Sequence, residues 1–242
     1  MGFIFAGIIL LRGVVMLLFF YANAKYKLLY KDNFVVFSPE QFIKIEDNII
    51  STYPMKGTID SLIPDAENKI LGDEKEFAEH ITVVDLLRND LGIISKKVEV
   101  EQFRYVEEIM AFNKKLLQVS SKIKGELDEN WNEKLGDILA ALLPAGSVTG
   151  APKKKTVEII KRVEGYERGY YTGVFGYFSG KTLDSAVMIR YIEKIKDKLY
   201  FKSGGGLTIY SDAEKEYNEL VEKVYLPITF TNDSDINVEI GK

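Results

Sequence analysis

The stretch YYTGVFGYFSGKTLDSAVMIRYIEKIKDKLYFK, residues 170–202, decides the fold class of this chain. Its β-branched and aromatic residues predict strands over residues 170–178, 183–194 and 198–202. The turns between these strands have hairpin length, so the strands are predicted to be antiparallel. Elsewhere strands and helices come in runs rather than in strict alternation, and this favours an α+β fold with antiparallel sheet.

The rest of the chain adds shorter strands and several helices. Strands are predicted over residues 26–30, 34–37, 42–45 and 49–53. Helices are predicted over residues 74–91, 102–113, 131–142, 152–163 and 212–226. Because no repeat and no linker interrupts these elements, the simplest prediction is one domain over residues 1–242. The polar tail, residues 232–242, is expected to be frayed.

Composition narrows the classes of function. A chain of 242 residues with 46% hydrophobic residues can bury a sizeable core. Its net charge of −4 and pI near 5.3 argue against nucleic acid as a partner. With no cysteine and a single histidine, His80, the chain excludes a thiolate zinc site, a cysteine nucleophile and a triad that needs a second histidine. The lack of cysteine fits a cytoplasmic protein.

The N-terminal run over residues 3–22 is almost entirely apolar, with Arg12 as its one charge. By length it could span a bilayer. Its β-branched and aromatic content, punctuated by Gly7 and Gly13, instead favours buried strands. We therefore expect this run to pack into sheet, and we do not expect a membrane partner.

Two pairs of glutamates are the main candidates for polar chemistry. On a helix at about 100° per residue, Glu76 and Glu79 fall within the apolar arc, so they need a partner because an unpaired buried charge is costly. The partner is either solvent and a basic side chain, or a hard cation such as Mg²⁺. Glu216 and Glu219 fall at the edge of an apolar arc, where glutamates usually face solvent.

A glycine triplet marks a second candidate region. The backbone of Gly204, Gly205 and Gly206 can approach a ligand closely, and such a turn suits a carboxylate. Glycine triplets are also common as bulges and flexible turns. Arg190, on the neighbouring predicted strand, could bind a carboxylate bidentately or form a surface ion pair.

Taken together, four motifs resemble one enzyme family, the chorismate-utilising enzymes. This family includes anthranilate synthase component I, aminodeoxychorismate synthase component I, and the isochorismate and salicylate synthases. The resemblance runs from about residue 26 to residue 226, with the motifs in the expected order. They are DLLRNDLG at residues 85–92, PAGSVTGAPK at 144–153, YTGVFGYF at 171–178 and SGGG at 203–206.

The resemblance implies a fold of two stacked antiparallel sheets with outer helices and a site in the cleft between the sheets. It implies Mg²⁺ held by glutamates of two helices, and these match Glu76, Glu79, Glu216 and Glu219. It also implies a set of residues that hold the substrate and its carboxylates. These match Thr58, Thr149, Tyr171, Arg190, Gly204, Gly205 and Gly206.

Lys56 distinguishes among the members of the family. The loop PMKGT, residues 54–58, resembles the PIKGT of aminodeoxychorismate synthases rather than the PIAGT of anthranilate synthases. In the former subgroup the resemblance implies that the lysine amine attacks ring carbon 2 as the hydroxyl on carbon 4 leaves. Ammonia then adds at carbon 4 and the lysine departs. Glu40 matches the general acid for the departing hydroxyl.

Two departures from the family pattern bear on activity. Gln118 stands where many members have a histidine, and a glutamine cannot exchange a proton near neutral pH. Only about 37 residues precede the SPEQF motif at residues 38–42, and residues 1–22 do not match the family's usual sequence. We therefore expect a member that is truncated or divergent at its N-terminus.

The leading expectation is an enzyme, aminodeoxychorismate synthase component I. It would convert chorismate and ammonia, the latter from a glutamine amidotransferase partner, in para-aminobenzoate and folate synthesis. One alternative is anthranilate synthase component I, which Lys56 disfavours. Another is an inactive, truncated family member or a membrane-tethered relative that retains only the binding of its glutaminase partner.

Overall fold

The computed structural model describes residues 15–111, 114–196, 198–208 and 211–224. The predicted tail at 232–242 and the first fourteen residues lie outside this part of the chain. The strands are β1 (Tyr26–Tyr30), β2 (Phe34–Ser38), β3 (Gln41–Glu46), β4 (Ile49–Thr52), β5 (Met55–Asp60), β6 (Val98–Ala111), β7 (Lys114–Glu126), β8 (Val174–Phe178), β9 (Leu183–Val187), β10 (Tyr191–Ile195) and β11 (Lys198–Lys202). The helices are α1, described over residues 15–21, α2 (Ala66–Gly72), α3 (Glu74–Ile94), the 3-10 helix Trp131–Lys134, α4 (Leu135–Leu142), α5 (Gly146–Thr149), α6 (Lys153–Glu164) and α7 (Ala213–Glu222).

The described strands form two antiparallel sheets, which confirms the predicted α+β class. The smaller sheet has the order β1-β2-β10-β11, and the larger contains β3 to β9. In the larger sheet β4 and β5 pair with one edge of β7, and β6 pairs with the other. Short hairpins join β8 to β9 and β10 to β11, as the turn lengths predicted.

The chain crosses between the two sheets at two neighbouring points. It leaves the smaller sheet after β2 and enters the larger at β3, so Glu40 lies in the first crossing. It returns between β9 and β10, where Arg190 has a left-handed φ of 53°. The backbone N–H of Val187 donates to the carbonyl of Glu40 at 3.1 Å, and the N–H of Phe37 donates to the carbonyl of Arg190 at 3.1 Å. These bonds place two predicted site residues side by side where the sheets meet.

The main core lies between one face of the larger sheet and helices α3 and α4. Apolar side chains from both helices pack on the sheet residues, among which Ile45, Ile50 and Ile123 are completely buried. The helix α3 contributes Val84 and Leu91 to this core, and α4 contributes Ile138 and Leu142. Burial of this apolar surface fixes the direction of α3, which carries the first pair of glutamates.

The prediction that the N-terminal run forms buried strands is wrong for the described part. Residues 15–21 are helical, and this helix covers one face of the smaller sheet through Val15, which packs near Val35 and Phe37. Lys27 donates to the carbonyls of Phe19 and Ala22 at the end of α1, which satisfies orphan groups of the last turn. Apolar content alone could not distinguish a helix on a sheet from a strand within it.

The predicted helix over residues 102–113 is also wrong for its described part, because residues 102–111 belong to the long strand β6. The strand β6 pairs with β7 along most of its length, from Val98 opposite Gly125 to Ala111 opposite Lys114. Irregular register near Gln102 lets the strand bend, and Arg104 there has a φ of 49°. The long-range pairing therefore overrides the local helical spacing of the apolar residues.

Within the described ranges, no single helix is both long and apolar enough to cross a membrane. The bent pair formed by residues 131–149 and 153–164, which meet at 62°, satisfies both criteria when its two parts are taken together.

Candidate active site

Lys56 lies on β5 and points towards the first turns of α3. Its Nζ is 3.0 Å from Oε2 of Glu79, and both side chains are partly exposed. The next residue, Gly57, has a φ of 83°, a backbone conformation that suits glycine. A Cβ at that position would come within 3.3 Å of Oε2 of Glu76. The segment with Lys56, expected as a loop, is therefore part of strand β5 and packs directly on the carboxylates of α3.

The start of α3 is fixed by a side-chain cap and by a buried histidine. The carboxylate of Asp73 accepts a hydrogen bond of 2.9 Å from the backbone N–H of Glu76. His80 is 1% exposed, and its Nε2 is 2.7 Å from the hydroxyl oxygen of Ser121 on β7. Burial, helped by the positive charges of Arg104 and Lys56, lowers the pKa of His80 to about 4.

The two α3 glutamates have different surroundings. Burial, followed by the neighbouring charge of Glu79, raises the pKa of Glu76, while Lys56 opposes this effect. Glu79 interacts with two lysines, since Nζ of the exposed Lys75 is 3.8 Å from its Oε1. Both carboxylates therefore lie in the electrostatic field of Lys56.

Glu40 also lies within the electrostatic field of Lys56. Its carboxylate accepts a hydrogen bond from the hydroxyl of Ser147, on α5. Burial raises the pKa of Glu40, and the positive charge of Lys56 partly offsets this rise. A carboxyl group that holds its proton more tightly than usual, next to a lysine, is suited to general-acid work.

The second pair of glutamates lies on α7, close to the same lysine. Oε1 of Glu216 accepts a 2.7 Å hydrogen bond from the hydroxyl of Ser211. Glu219 pairs with Lys223, which lowers the pKa of Glu219, and the charges of Lys56 and Lys75 add to that effect. The field of Lys56 therefore reaches carboxylates of both helices.

The glycine triplet lies between α7 and Tyr171. A Cβ on Gly204 would come within 2.7 Å of the hydroxyl oxygen of Tyr171, a distance that a real side chain does not permit. A Cβ on Gly205 would be 3.9 Å from Oε2 of Glu216. Burial raises the pKa of Tyr171 to about 12, so this hydroxyl remains a hydrogen-bond donor at neutral pH. The triplet therefore brings bare backbone next to a tyrosine hydroxyl and a glutamate.

The remaining predicted residues border the same region. The guanidinium of Arg190 donates to the backbone carbonyl of Lys223 at the end of α7. Thr58 on β5 lies opposite Gln118 on β7. Thr149 is buried in α5, and its hydroxyl donates to the carbonyl of Ala145 at 3.3 Å. Their contacts with a substrate stay predictions.

The carboxylate oxygens of the four glutamates are the type of ligand that a hard divalent cation binds. Glu79, Glu216 and Glu219 have Lys56, Ser211 and Lys223 as their respective partners. Across the described residues, no three acidic or histidine side chains come close enough together to hold a metal ion. Carboxylate oxygens on two helices around a shared lysine are nevertheless the donors that Mg²⁺ prefers. Convergence of the four on one ion stays a prediction.

Sequence reasoning missed three contacts that shape the site. The first is the hydroxyl of Ser147 on Glu40, and the second is the pairing of Lys223 with Glu219. The third is an ion pair between Asp90 on α3 and Lys153 on α6, 2.6 Å apart. The i, i+4 spacing of Glu219 and Lys223 was a readable signal, whereas the other two join motifs far apart in the chain.

Comparison with known proteins supports the resemblance found in the sequence. Residues 20–229 match the family profile described as chorismate binding enzyme. An uncharacterized PabA-like protein of Haemophilus influenzae is 58% identical over 211 residues, which cover 87% of this chain and 64% of the relative. The aminodeoxychorismate synthase component 1 of Salmonella typhimurium is 35% identical over 196 residues, or 77% of this chain and 42% of that protein.

The fold also has a counterpart among solved structures. The crystal structure of anthranilate synthase component I from Streptococcus pneumoniae superposes with a TM-score of 0.68 and 33% identity. The match covers 83% of this chain and 45% of that structure. The chain thus spans less than two thirds of the length of each of these three proteins.

Proposed function

The chain belongs to the chorismate-binding enzyme family, and from this premise we propose that it acts as aminodeoxychorismate synthase component I. The substrate is chorismate, the second reactant is ammonia, and the product is 4-amino-4-deoxychorismate. The proposal places the protein in the cytoplasm, in the synthesis of para-aminobenzoate and folate.

The position of Lys56 carries the proposal. Its amine is 3.0 Å from Glu79 and lies within the electrostatic reach of Glu40, whose carboxyl group is protonated more readily than usual. This electrostatic coupling supports the pairing of a nucleophile with an acid, and Lys56 lies in the segment that resembles the PIKGT of aminodeoxychorismate synthases. An alanine in this segment, as in the PIAGT of anthranilate synthases, would offer no amine.

The reaction needs a bond made and a bond broken in each of two stages. In the first, Lys56 releases its ammonium proton to water. Its neutral amine then attacks ring carbon 2, the ring double bonds shift, and the bond between carbon 4 and oxygen breaks. Glu40 gives its proton to that oxygen, which leaves as water. In the second, ammonia attacks carbon 4, the double bonds shift back, and the bond between carbon 2 and the lysine nitrogen breaks. Proton release from the new amine restores Glu40.

Other residues hold the substrate during both stages. The backbone of Gly204 and Gly205 and the hydroxyl of Tyr171 offer hydrogen-bond donors to a substrate carboxylate. Arg190 adds a positive charge at the end of α7. Thr58 and Thr149 complete the proposed set. Gln118 can donate a hydrogen bond but transfers no proton near neutral pH, so acid work rests on Glu40.

We further propose Mg²⁺ as the cofactor, held by Glu76, Glu79, Glu216 and Glu219. When bound, the ion supplies positive charge that neutralises and orients the ring carboxylate of chorismate.

The direct test is product identification. The protein is incubated with chorismate, Mg²⁺ and ammonium, and the products are separated and identified by mass spectrometry. We expect 4-amino-4-deoxychorismate. Denaturation during turnover should trap added mass on the peptide that carries Lys56, because that lysine forms the covalent adduct.

Replacement of the lysine sharpens this test. Lys56→Ala should bind chorismate with Mg²⁺ but lose most product formation, by at least about a hundredfold, because the covalent route is closed. Lys75→Ala is the matched control, since Lys75 also faces Glu79 but at 3.8 Å and from an exposed position. Normal product formation by Lys56→Ala, with no adduct in the parent protein, would contradict the lysine route.

Anthranilate synthase component I is the second candidate, because a solved structure of that name shares 33% identity with this chain. It would aminate carbon 2 and release anthranilate, which fluoresces. Anthranilate as the product, with or without Lys56, would therefore put this candidate first.

The source of ammonia is a separate part of the proposal. A glutamine amidotransferase partner would supply ammonia from glutamine in the cell. Activity with ammonium alone, joined by activity with glutamine only after a glutaminase subunit is added, would support this arrangement. If the chain binds a glutaminase but gives no product with ammonium, only the binding role would remain.

A further inference from the structure

A buried ion pair, Asp90 with Lys153, joins two of the sequence motifs, and the proposed reaction gives neither of these two residues a role. Asp90 lies near the end of α3 and is 8% exposed. Its Oδ2 is 2.6 Å from Nζ of Lys153, the first residue of α6. The same Nζ donates to the carbonyl of Leu142, the last residue of α4, at 2.8 Å. One lysine therefore ties the ends of three helices together.

The short helix α5 lies between these ends and packs tightly against α3. A Cβ on Gly146 would come within 3.1 Å of Oδ2 of Asp90 and equally close to the methyl groups of Leu86 and Leu87. Any larger residue would push α5 away from α3. The position of α5 is therefore set by close packing on α3, where the Asp90 carboxylate that Lys153 holds lies directly against Gly146.

Ser147, the residue after this glycine, forms a hydrogen bond with Glu40, the proposed acid. The hydroxyl of Ser147 donates to the carboxylate of Glu40. The backbone of Glu40 is already fixed, because its N–H donates to Oγ of Ser38 at 3.1 Å and its carbonyl accepts from Val187. What remains to be set is the direction of the carboxyl group, and Ser147 sets it.

We propose that Asp90 and Lys153 form a positioning pair that seats α5 on α3 and so holds the hydroxyl of Ser147 on Glu40. The proposal rests on the assignment of Glu40 as the acid in the proposed function. Neither member of the pair touches the reacting atoms. Their effect reaches the substrate through Ser147 and then Glu40.

The arrangement also explains how two parts of the site keep their separation. Glu79 and Asp90 lie on the same helix, eleven residues apart, which corresponds to roughly 16 Å at 1.5 Å per residue. The first contacts Lys56, and the second anchors the support of Glu40. One helix packed on the larger sheet therefore positions both the nucleophile's carboxylate partner and the acid.

The experiment follows the protonation of Glu40 in the free protein by carboxyl ¹³C NMR. Ser147→Ala removes a hydrogen bond to the ionised carboxylate, so the pKa of Glu40 should rise. Asp90→Asn should raise it as well, because α5 loosens. A direct charge effect predicts the opposite, since loss of a nearby negative charge makes ionisation easier. Lys56, whose charge acts on Glu40, is unchanged in each variant.

The decisive comparison is the double variant. In Ser147→Ala, the further change Asp90→Asn should leave the pKa of Glu40 unaltered, because the link to Glu40 is already cut. In turnover with chorismate, each single variant should lose about tenfold in kcat with KM within about twofold, and the double variant should be no slower than Ser147→Ala. The NMR measurement needs no substrate, so it stands even where the proposed reaction fails.

A matched control comes from an ion pair on the smaller sheet. Lys202 also joins one carboxylate, Glu193 at 2.6 Å, to one carbonyl, that of Arg168 at 3.2 Å. Glu193→Gln breaks a comparably buried pair and should leave the protonation of Glu40 unchanged. Where Asp90→Asn does not fold, Lys153→Gln takes its place, with the same demand that its effect vanish in Ser147→Ala. An unchanged or lowered pKa in Asp90→Asn, or additive losses in the double variant, would overturn the positioning role.

Discussion

The two helices that carry the predicted metal ligands are held very differently. The helix α3 has 21 residues, and four of its side chains, those of His80, Val84, Asp90 and Leu91, are buried. The helix α7 has 10 residues, and none of its described side chains is buried. Polar contacts connect it to the rest of the site. In one of them the hydroxyl of Ser203 donates a hydrogen bond of 3.1 Å to the carbonyl of Leu220.

This difference indicates that the two halves of the site have different tasks. Glu76 and Glu79 stand on a helix whose position is fixed by the core, so they are preorganised before substrate arrives. Glu216 and Glu219 stand on a helix with little buried surface, and such elements open at low free-energy cost. We therefore expect ligand binding to order α7 against a fixed α3.

The largest effect should come from a single carboxylate on α3. Glu79→Gln keeps the shape of the side chain but removes the charge that faces Lys56, so turnover should fall by about a thousandfold. Because the Lys56–Glu79 pair is partly exposed, the free energy of unfolding should change by less than about 1 kcal/mol. Steady-state kinetics and urea unfolding measure the two quantities. Glu214→Gln, on the exposed first turn of α7, is the control and should stay within about twofold of the parent.

The next largest effect should be on the free energy of unfolding, which should depend on whether a leucine is removed from α3 or from α7. Leu91 is 1% exposed, so Leu91→Ala should lower the free energy of unfolding by about 3 kcal/mol through lost burial and a cavity. Leu220 on α7 is only partly buried, and Leu220→Ala should cost less than about 1 kcal/mol. Urea unfolding of the metal-free protein compares the two. Equal losses would mean that α7 belongs to the same cooperative core.

Sequence reasoning succeeded where local pattern and final structure agree. The predicted strands at 26–30, 34–37 and 42–45 match β1, β2 and β3, and the helix predicted from residue 74 matches α3. It failed where the structure of a segment depends on pairing with segments far away in the chain. The stretch 183–194 reads as one strand, but it divides at Arg190 because β9 and β10 pair with different sheets. No local signal specifies that change of partner.

The candidate site shows the same division. The glutamate pairs, the glycine triplet and Lys56 could be selected from spacing and resemblance, since each is a short motif. Ser147 could not be assigned to Glu40, because 107 residues separate them. Asp90 and Lys153 belong to motifs that resemble the family, yet their pairing depends on how α3, α4 and α6 pack together. Such contacts follow from the packing of several elements at once.

Protonation of His80 on α3 should change the free energy of unfolding by as much as Leu91→Ala does, or by less. The pKa of His80 is lowered to about 4 in the folded protein, against 6.5 in the unfolded chain. Below pH 6.5 the unfolded state takes up a proton that the folded state does not, so the free energy of unfolding decreases as the pH is lowered. The contribution is present in full above pH 6.5, and about 3 kcal/mol is lost as pH falls to 4.

The control for this pH effect is a variant without the imidazole. His80→Gln should show a shallower fall in stability between pH 6.5 and 4, measured on metal-free protein by urea unfolding. The carboxylates that titrate in the same range are common to both proteins, so their contribution cancels in the difference. Parallel curves for the two proteins would contradict the burial of a neutral His80.

The smallest effect tests directly whether α7 becomes ordered on binding. Hydrogen exchange of the α7 amides should slow several-fold when Mg²⁺ and chorismate are added, corresponding to about 1 kcal/mol of extra protection. The amides of α3 are already protected by the core and should change little. Glu216→Gln should remove the slowing on α7, because it loses the charge next to Gly205, whereas Glu214→Gln should keep it. Equal slowing on both helices would mean that the whole fold is stabilised and that the two halves of the site do not differ. No slowing at α7, in a protein that still turns over, would place the cation on α3 alone.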